Sequence, residues 1–265
     1  MGLGRLSDEV FEAVLFDMDG TLIDSTPAVL RAWTTWMHEF GLTADQLGRH
    51  HGMPSAQVVR SLLAEDRHVE AIRRIDELEL ADVHDIVVLP GAAEALDAVR
   101  AAKSAIATSC TVPLARARIA AARLVPPSVL VTVDDVEHGK PAPDPFLEAA
   151  RRLGVDPRRC LVVEDAPKGL EAAHAAGCFT LAVVTTTARD ELDADAVVTD
   201  LSEVVFSGPA ELLDGPLLTA AETTIRERTM PVVGADLHLR MASLGEDVAL
   251  CGAAVLVLSG QLGVT

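Results

Sequence analysis

The sequence predicts an α/β fold, a doubly wound parallel sheet with an inserted α-helical cap domain. Three observations point to this class. Short aliphatic runs recur along the chain, and each stops on a polar residue. Ala-rich segments with helical spacing separate them. One long interval, 26–86, breaks the alternation and holds only helical patterns. Continuous aliphatic runs suit the strands of a parallel sheet covered on both faces. Regular strand–helix alternation winds such a sheet on both sides.

The first strand is expected at 14–16, stopping on Asp17. Residues 26–86 read as three or four amphipathic helices, at 28–40, 43–50, 55–63 and 69–80, with hinges near 23–26 and 87–91. Alternation then resumes with a helix at 92–102 and a strand at 105–107 that stops on Thr108. A helix at 113–123 leads to a strand at 129–133 that stops on Asp134. A helix at 145–153 leads to a strand at 161–163 that stops on Glu164. A helix at 169–176 leads to a strand at 180–184 that stops on Thr185, and a weaker run follows at 196–198. The expected division is a core of 1–25 and 87–207, a helical cap of 26–86, and a C-terminal extension of 208–265 with no obvious place in the sheet.

The bulk composition narrows the function classes. A chain of 265 residues, 49% of them hydrophobic, can bury the core of such a domain. Aromatic residues are 3% and Tyr is absent, so that core must be aliphatic. A net charge of −18 opposes binding to nucleic acid or to anionic membranes. Any anion site needs a local cation, a Lys or a metal. Cys110, Cys160, Cys178 and Cys251 fit no metal-binding spacing and read as reduced thiols of a cytoplasmic protein. The N-terminus shows no apolar signal-peptide segment. The longest strongly apolar run, 248–258, is shorter than the roughly 20 residues that span a bilayer.

Four clusters carry candidate chemistry. In "AVLFDMDGT" an aliphatic strand stops on Asp17, and Asp19 follows. Residues two apart on a strand point the same way, so both acids face the carboxyl end of the sheet, where open α/β sheets bind ligands. Gly20 permits a sharp turn there, and with Thr21 it is expected to line the substrate site. An N-cap followed by a turn accounts for the same string. In "CLVVEDAPKGL" a second strand ends on Glu164 and Asp165. Four carboxylates at one sheet edge repel, and a divalent cation with hard oxygen ligands resolves that repulsion, which suits Mg²⁺. Helix capping is the alternative for this pair. Lys140 in "EHGKPAPDPF" sits in a loop stiffened by Pro141, Pro143 and Pro145. Its ammonium is a candidate counter-charge and phosphate contact, or else an exposed lysine before a turn. Thr108 and Ser109 end the strand "SAIATS", where hydroxyls and strand-end amides can hold a phosphate oxygen.

Taken in order, DMDGT, the Thr after an aliphatic strand, GKPAPDPF and VVEDAPKG resemble the haloacid dehalogenase-like hydrolases over about residues 12 to 200. The resemblance implies a Rossmann-like core with that family's first type of cap. It implies Asp17 as the nucleophile that takes the phosphoryl group, and Asp19 as general acid for the leaving alcohol and then base for water. Thr108 is implied to hold the phosphate, with Ser109 beside it, and Lys140 to balance charge. Mg²⁺ would be held by Asp17, Asp165 and the Asp19 backbone carbonyl, with Glu164 in support. An acid at position 19 suits phosphate-ester hydrolysis rather than dehalogenation.

Specificity is expected in the cap, where Arg49, His50, His51 and Arg60 are candidate contacts for a polar leaving group or else solvated surface residues. The HGxP pattern and "LVTVDDVEHGKPAPDPFLEAARRLGV" are similar to the sugar-phosphate and glycerol-phosphate phosphatases of this superfamily. The expected partner is a small phosphorylated metabolite, handled by a monomer or homodimer. A β-phosphoglucomutase-like enzyme and a non-catalytic sugar-phosphate sensor are the alternatives. The tail from 242 to 264 resembles the extreme C-terminus of the repressor/sugar-kinase (ROK) family, and no kinase activity is carried over from so short a match. Within it, 247–259 has the pattern of one apolar helix, packed on the core or used for self-association.

Overall fold

The computed structural model describes residues 3–43, 52–207 and 237–241. The chain enters through β1 (Val10–Phe11) and β2 (Ala13–Phe16), then turns through β3 (Ile23–Asp24) into helix α1 (Thr26–Phe40). Helices α2 (Ser55–Leu62) and α3 (His68–Ala81) follow, and β4 (Val87–Val88) returns the chain to the core. From there α4 (Ala92–Ala98), β5 (Lys103–Ala107), α5 (Val112–Ala122), β6 (Val129–Val131), α6 (Asp144–Leu153) and β7 (Cys160–Glu164) alternate. They continue into α7 (Pro167–Ala176), β8 (Phe179–Val183), β9 (Ala196–Val198) and β10 (Val204–Ser207), and β11 (Leu237–Met241) lies in the extension.

Six strands form one parallel sheet in the order β6-β5-β2-β7-β8-β9. Each strand covers two faces, as its period of two requires. On β2, Val14 and Phe16 enter one core cluster and Ala13 and Leu15 the other. Leu161 and Val163 of β7 join the first cluster, and Cys160 and Val162 the second. Helices α4 and α5 cover the first face through Ala92, Leu96, Leu114 and Ile119, while α6 and α7 cover the second through Phe146, Ala149 and Ala173. The sheet is therefore wound on both sides, as expected from the sequence. Cys110, Cys160 and Cys178 are buried and unpaired.

The strand order reverses at β2, which lies between β5 and β7. Ligand crevices in such sheets open at this switch point, and Asp17 follows β2 directly.

The interval after β3 folds around its own apolar cluster of Trp33, Trp36, Val59, Ala71 and Ile75. Trp36 is fully buried and its indole N–H donates to the Ala71 carbonyl at 2.8 Å, which ties α1 to α3. Helix α1 ends on Gly41 in the left-handed region, φ 72°, whose N–H caps the last turn. The cap leaves and rejoins the core through an antiparallel two-strand ribbon that pairs Ile23 with Val88 and Asp24 with Val87. The helix expected at 43–50 lies outside the described residues.

Strands β1, β3, β4 and β10 are not expected from the sequence, and three further features differ from that expectation. Helix α4 stops at Ala98 rather than 102, because the chain must turn before β5 starts at Lys103. The run at 129–133 splits into β6 and a 3-10 turn, Val133–Asp135, capped by the Thr132 and Asp135 side chains. The extension adds strand β11, which pairs antiparallel with β1 and β10 in a separate three-stranded sheet. The ROK-like tail and the helix expected at 247–259 lie outside the described residues. No helix among the described residues is long and apolar enough to cross a membrane.

Candidate active site

Asp17 sits one residue beyond β2, where its N–H still bonds the Val163 carbonyl of β7 at 2.9 Å. The strand alternation continues past the strand: Met18 is buried in the core, while Asp17 and Asp19 both line the cavity above. Gly20 then turns the chain at φ 91°, and its N–H bonds the Ile23 carbonyl at 2.8 Å. A methyl group on Gly20 would fall 2.2 Å from Oδ2 of Asp165, so the position needs glycine twice over.

Lys140 is the centre of the charge arrangement. The lysine expected either at the site or on the surface is fully buried. Its ammonium donates to Oδ1 of Asp17 and, at 2.8 Å, to Oε1 of Glu164. It also lies 5.1 Å from the Phe146 ring centroid. Oε2 of Glu164 accepts from the backbone N–H groups of Asp165 and Ala166, each at 2.7 Å. Protein donors thus engage both Glu164 oxygens. A methyl group on Gly169 would fall 1.7 Å from Oε1 of Glu164, so helix α7 approaches this closely only because it carries glycine there.

Asp165 is oriented from both sides. Thr21 Oγ1 donates to its Oδ1 at 3.0 Å, and Thr186 Oγ1 donates to its Oδ2. Thr185 Oγ1 donates to the Gly20 carbonyl. The fifth expected strand stops on Thr185, and nothing in the sequence pattern marks either hydroxyl as part of the site. Thr108 is buried at the end of β5, and its Oγ1 accepts from the Cys110 N–H at 3.2 Å. Ser109 Oγ donates to the Gly52 carbonyl of the cap at 2.7 Å, so its hydroxyl is joined to the cap in this structure.

The four expected carboxylates do not converge on one point. Asp17, Glu164 and Asp165 each offer an oxygen within 4.8 Å of the others. The Asp19 carboxylate turns elsewhere: its Oδ1 accepts from Ser25 Oγ at 2.6 Å and from Arg118 Nη1 at 2.9 Å. Its Oδ2 accepts from Cys110 Sγ at 3.0 Å. The physical reason is Arg118, a buried cation that draws Asp19 away from the acidic cluster. On the far side of Arg118, Nη2 reaches Oε1 of Glu79, a buried acid of cap helix α3, at 3.4 Å. Sequence reasoning missed both Arg118 and Glu79.

The donor set suits a divalent cation. One ammonium pairs with Asp17 and Glu164 and none pairs with Asp165, so three clustered carboxyl groups face a single protein cation. Burial pushes Asp17 well above the ordinary carboxylate range, and Glu164 and Asp165 push the same way against the opposing pull of Lys140. Burial, then Glu164, pushes Asp165 up to about 7 against its hydrogen bonds from Thr186 and Thr21. For Lys140, burial opposes the charge, but Asp17 and Glu164 outweigh it and hold the ammonium above the usual lysine range. The protein's own charges thus leave its buried acids under-compensated, and hard oxygen donors in this arrangement fit Mg²⁺.

Above the cluster lies a cavity of about 1010 Å³ between core and cap. Asp17, Asp19, Thr108 and Arg118 line it from below, and Trp33, Arg60, Asp76 and Glu79 line it from the cap. Arg49, His50 and His51 lie outside the described residues.

A family model described as haloacid dehalogenase-like hydrolase matches residues 11–177. Hexitol phosphatase A of Escherichia coli (strain K12) is 41% identical over 175 residues, which cover 64% of this chain and 81% of that protein. Validoxylamine A 7'-phosphate phosphatase of Streptomyces hygroscopicus subsp. limoneus is 32% identical over 211 residues, covering 74% and 96%. The crystal structure of a hydrolase from Pseudomonas syringae superposes with a TM-score of 0.67 at 28% identity, covering 72% of this chain and 94% of that one.

Proposed function

The chain belongs to the haloacid dehalogenase-like hydrolase family, and from that premise we propose that it is a Mg²⁺-dependent phosphatase of a small phosphorylated sugar or polyol. The observation that carries this reading is the position of Asp17. It is a buried carboxylate paired with a buried Lys140 at the sheet's switch point, under a cavity large enough for a sugar phosphate. The likeness to a hexitol phosphatase supports the substrate class.

In this mechanism Asp17 attacks phosphorus, and the P–O bond it forms replaces the ester P–O bond that breaks. Asp19 gives its proton to the departing alkoxide oxygen. A water then attacks the aspartyl-phosphate, Asp19 takes that water's proton, and phosphate leaves with Asp17 restored. Splitting one difficult displacement into two is the gain from a covalent intermediate. In this reading Lys140 and the Thr108 hydroxyl offset the charge that develops on the phosphoryl oxygens. Asp17, Asp165 and the Asp19 carbonyl, with Glu164 in support, would hold the Mg²⁺, which when bound lets an anionic nucleophile approach an anionic ester. Gly20, Thr21 and Ser109 are proposed contacts for the phosphate, and Arg49, His50, His51 and Arg60 are proposed contacts for the leaving group. The setting we propose is the cytoplasm, with the chain as a monomer or homodimer.

The test is a phosphate-release screen over sugar phosphates, hexitol and glycerol phosphates, phosphoglycolate and nucleotides, with and without Mg²⁺. Mg²⁺-dependent release from sugar or polyol phosphates, absent in Asp17→Asn, supports the proposal. Isomerised sugar phosphate in place of free phosphate would indicate a mutase, and binding without turnover a sensor. Arg49→Ala and His50→Ala should shift preference among leaving groups more than they weaken inorganic phosphate.

A further inference from the structure

Arg118 is the most unusual side chain outside the acidic cluster. It lies on the buried stripe of α5 with Leu114, Ala115 and Ile119, and its side chain is 3% exposed. A guanidinium in that position is costly unless acids meet it. Two do, from different parts of the molecule: Asp19 of the core at 2.9 Å on Nη1, and Glu79 of cap helix α3 at 3.4 Å on Nη2. Nε has no hydrogen-bond partner, so the guanidinium does not grip either carboxylate with its two-pronged side face. It spans the gap between them. Glu79 is anchored within the cap, where Ser55 Oγ at the start of α2 donates to its Oε2 at 2.9 Å. The Asp19 oxygen that meets Arg118, Oδ1, also accepts from Ser25 Oγ at 2.6 Å, immediately before α1, and Oδ2 accepts from Cys110 Sγ. The chain Ser55–Glu79–Arg118–Asp19–Ser25 therefore begins on the cap, ends at the last core residue before α1 and passes through the group assigned to proton transfer.

We infer that Arg118 is a positioning residue for Asp19, and that cap Glu79 holds Arg118 in place so that Asp19 is set only when the cap is shut over the core. This rests on the phosphatase reading above. Opening the cap removes Glu79 from Arg118. The guanidinium then has one acid partner instead of two, and nothing fixes its outer nitrogen. Cap closure and the placement of the Asp19 carboxylate become a single event, so proton transfer is coupled to enclosure of the substrate.

Departure of p-nitrophenolate needs little help from a proton donor, whereas departure of a sugar or polyol alkoxide depends on one. Attack of water on the aspartyl-phosphate needs a base for either ester. The full chain with Mg²⁺ is assayed on a polyol phosphate that the wild type hydrolyses and on p-nitrophenyl phosphate. Arg118→Met is expected to lower kcat on the polyol ester about 100-fold or more, the scale of acid–base catalysis, with little change in KM. On p-nitrophenyl phosphate it should release a rapid burst approaching one nitrophenol per enzyme before slow turnover. Glu79→Met should show the same pattern to a smaller degree, and Arg118→Lys should recover part of the loss. Equal losses on both esters without a burst, a change confined to KM, or wild-type kcat in Arg118→Met would each overturn the inference. Thermal melting identifies a variant that fails to fold, and Glu79→Met and Arg118→Lys then carry the test.

Amide hydrogen exchange reads the coupling without turnover. In Arg118→Met and Glu79→Met, exchange should speed up together in residues 19–25 and in α3, and a change in only one segment would refute the link. A wild type that cleaves no ester would count against the phosphatase reading alone, and exchange would then decide the coupling.

Discussion

Nζ of Lys140 lies 2.8 Å from Oε1 of Glu164 in a pair that solvent does not reach, and the same ammonium donates to Asp17. One cation therefore serves two buried acids. Lys140→Met keeps much of the volume and removes the charge, leaving the carboxylates to face one another. Removing one partner from a buried ion pair costs about 3–5 kcal/mol. The variant is expected to lose that much stability in urea unfolding without metal, to regain part of it with Mg²⁺, and to release no measurable phosphate. Unchanged stability would mean that Lys140 is not the counter-charge.

Asp17→Asn acts in the opposite direction. The amide keeps the shape, and its oxygen can still accept from Lys140, while one of three crowded negative charges disappears. Burial and two neighbouring acids already disfavour ionised Asp17. The metal-free variant should therefore unfold at or above the wild-type midpoint and yet be inactive. Mass spectrometry of acid-quenched protein should find a phosphorylated species in wild type with substrate and none in the variant.

Much of this arrangement was legible in the sequence because the acids and the lysine stand at strand ends or in stiffened loops. There, one aliphatic run followed by Asp17, or by Glu164 and Asp165, states both the strand and its carboxyl end. Ribbon β3–β4 and strand β11 were not legible, because short strands exist only through the partner they pair with. Arg118 and Glu79 were missed for a related reason: each is a single polar residue on a helix, and its meaning depends on what packs opposite. Arg118 did leave a signal. Its spacing from Leu114, Ala115 and Ile119 puts it on the apolar face of its helix, where an unpaired guanidinium is not tolerated. Thr186 left less, being one hydroxyl among three beyond β8.

Two glycines separate steric need from backbone need. Gly169 lies within helix α7, where a methyl group would fall 1.7 Å from Oε1 of Glu164. Gly154 caps α6 at φ 65° and has nothing within 4 Å of an added methyl. Gly169→Ala should cost about 1–3 kcal/mol through overpacking and should lower kcat, because it displaces the carboxylate that holds Lys140. Gly154→Ala should cost about 1–2 kcal/mol, the strain of a left-handed residue, and leave kcat unchanged. Equal effects on kcat would show that Gly169 has no special relation to the site.

Metal-free stability should fall as pH rises through the range in which the buried acids lose their protons. Asp165 is pushed up from an ordinary 3.8 to about 7 by burial and then by Glu164, and Asp17 is raised as well. Between those values the folded chain keeps a proton on Asp165 that the unfolded chain has released. More protons on the folded state mean that stability decreases with rising pH. This contribution is fully present below about pH 4 and is lost by about pH 7. A cation at the same oxygens competes with the proton, so the stabilisation given by Mg²⁺ should grow across the same window. Melting curves at several pH values, with Mg²⁺ and with chelator, measure both slopes. Other acids contribute slopes of their own, such as Glu148, which its two arginine partners hold down at about 2. The decisive quantity is therefore the difference between wild type and Asp165→Asn. That difference should fall with pH in chelator. A flat difference from about pH 4 to about pH 7 would show that Asp165 is ionised throughout, and that the cluster does not need a cation to carry its charge.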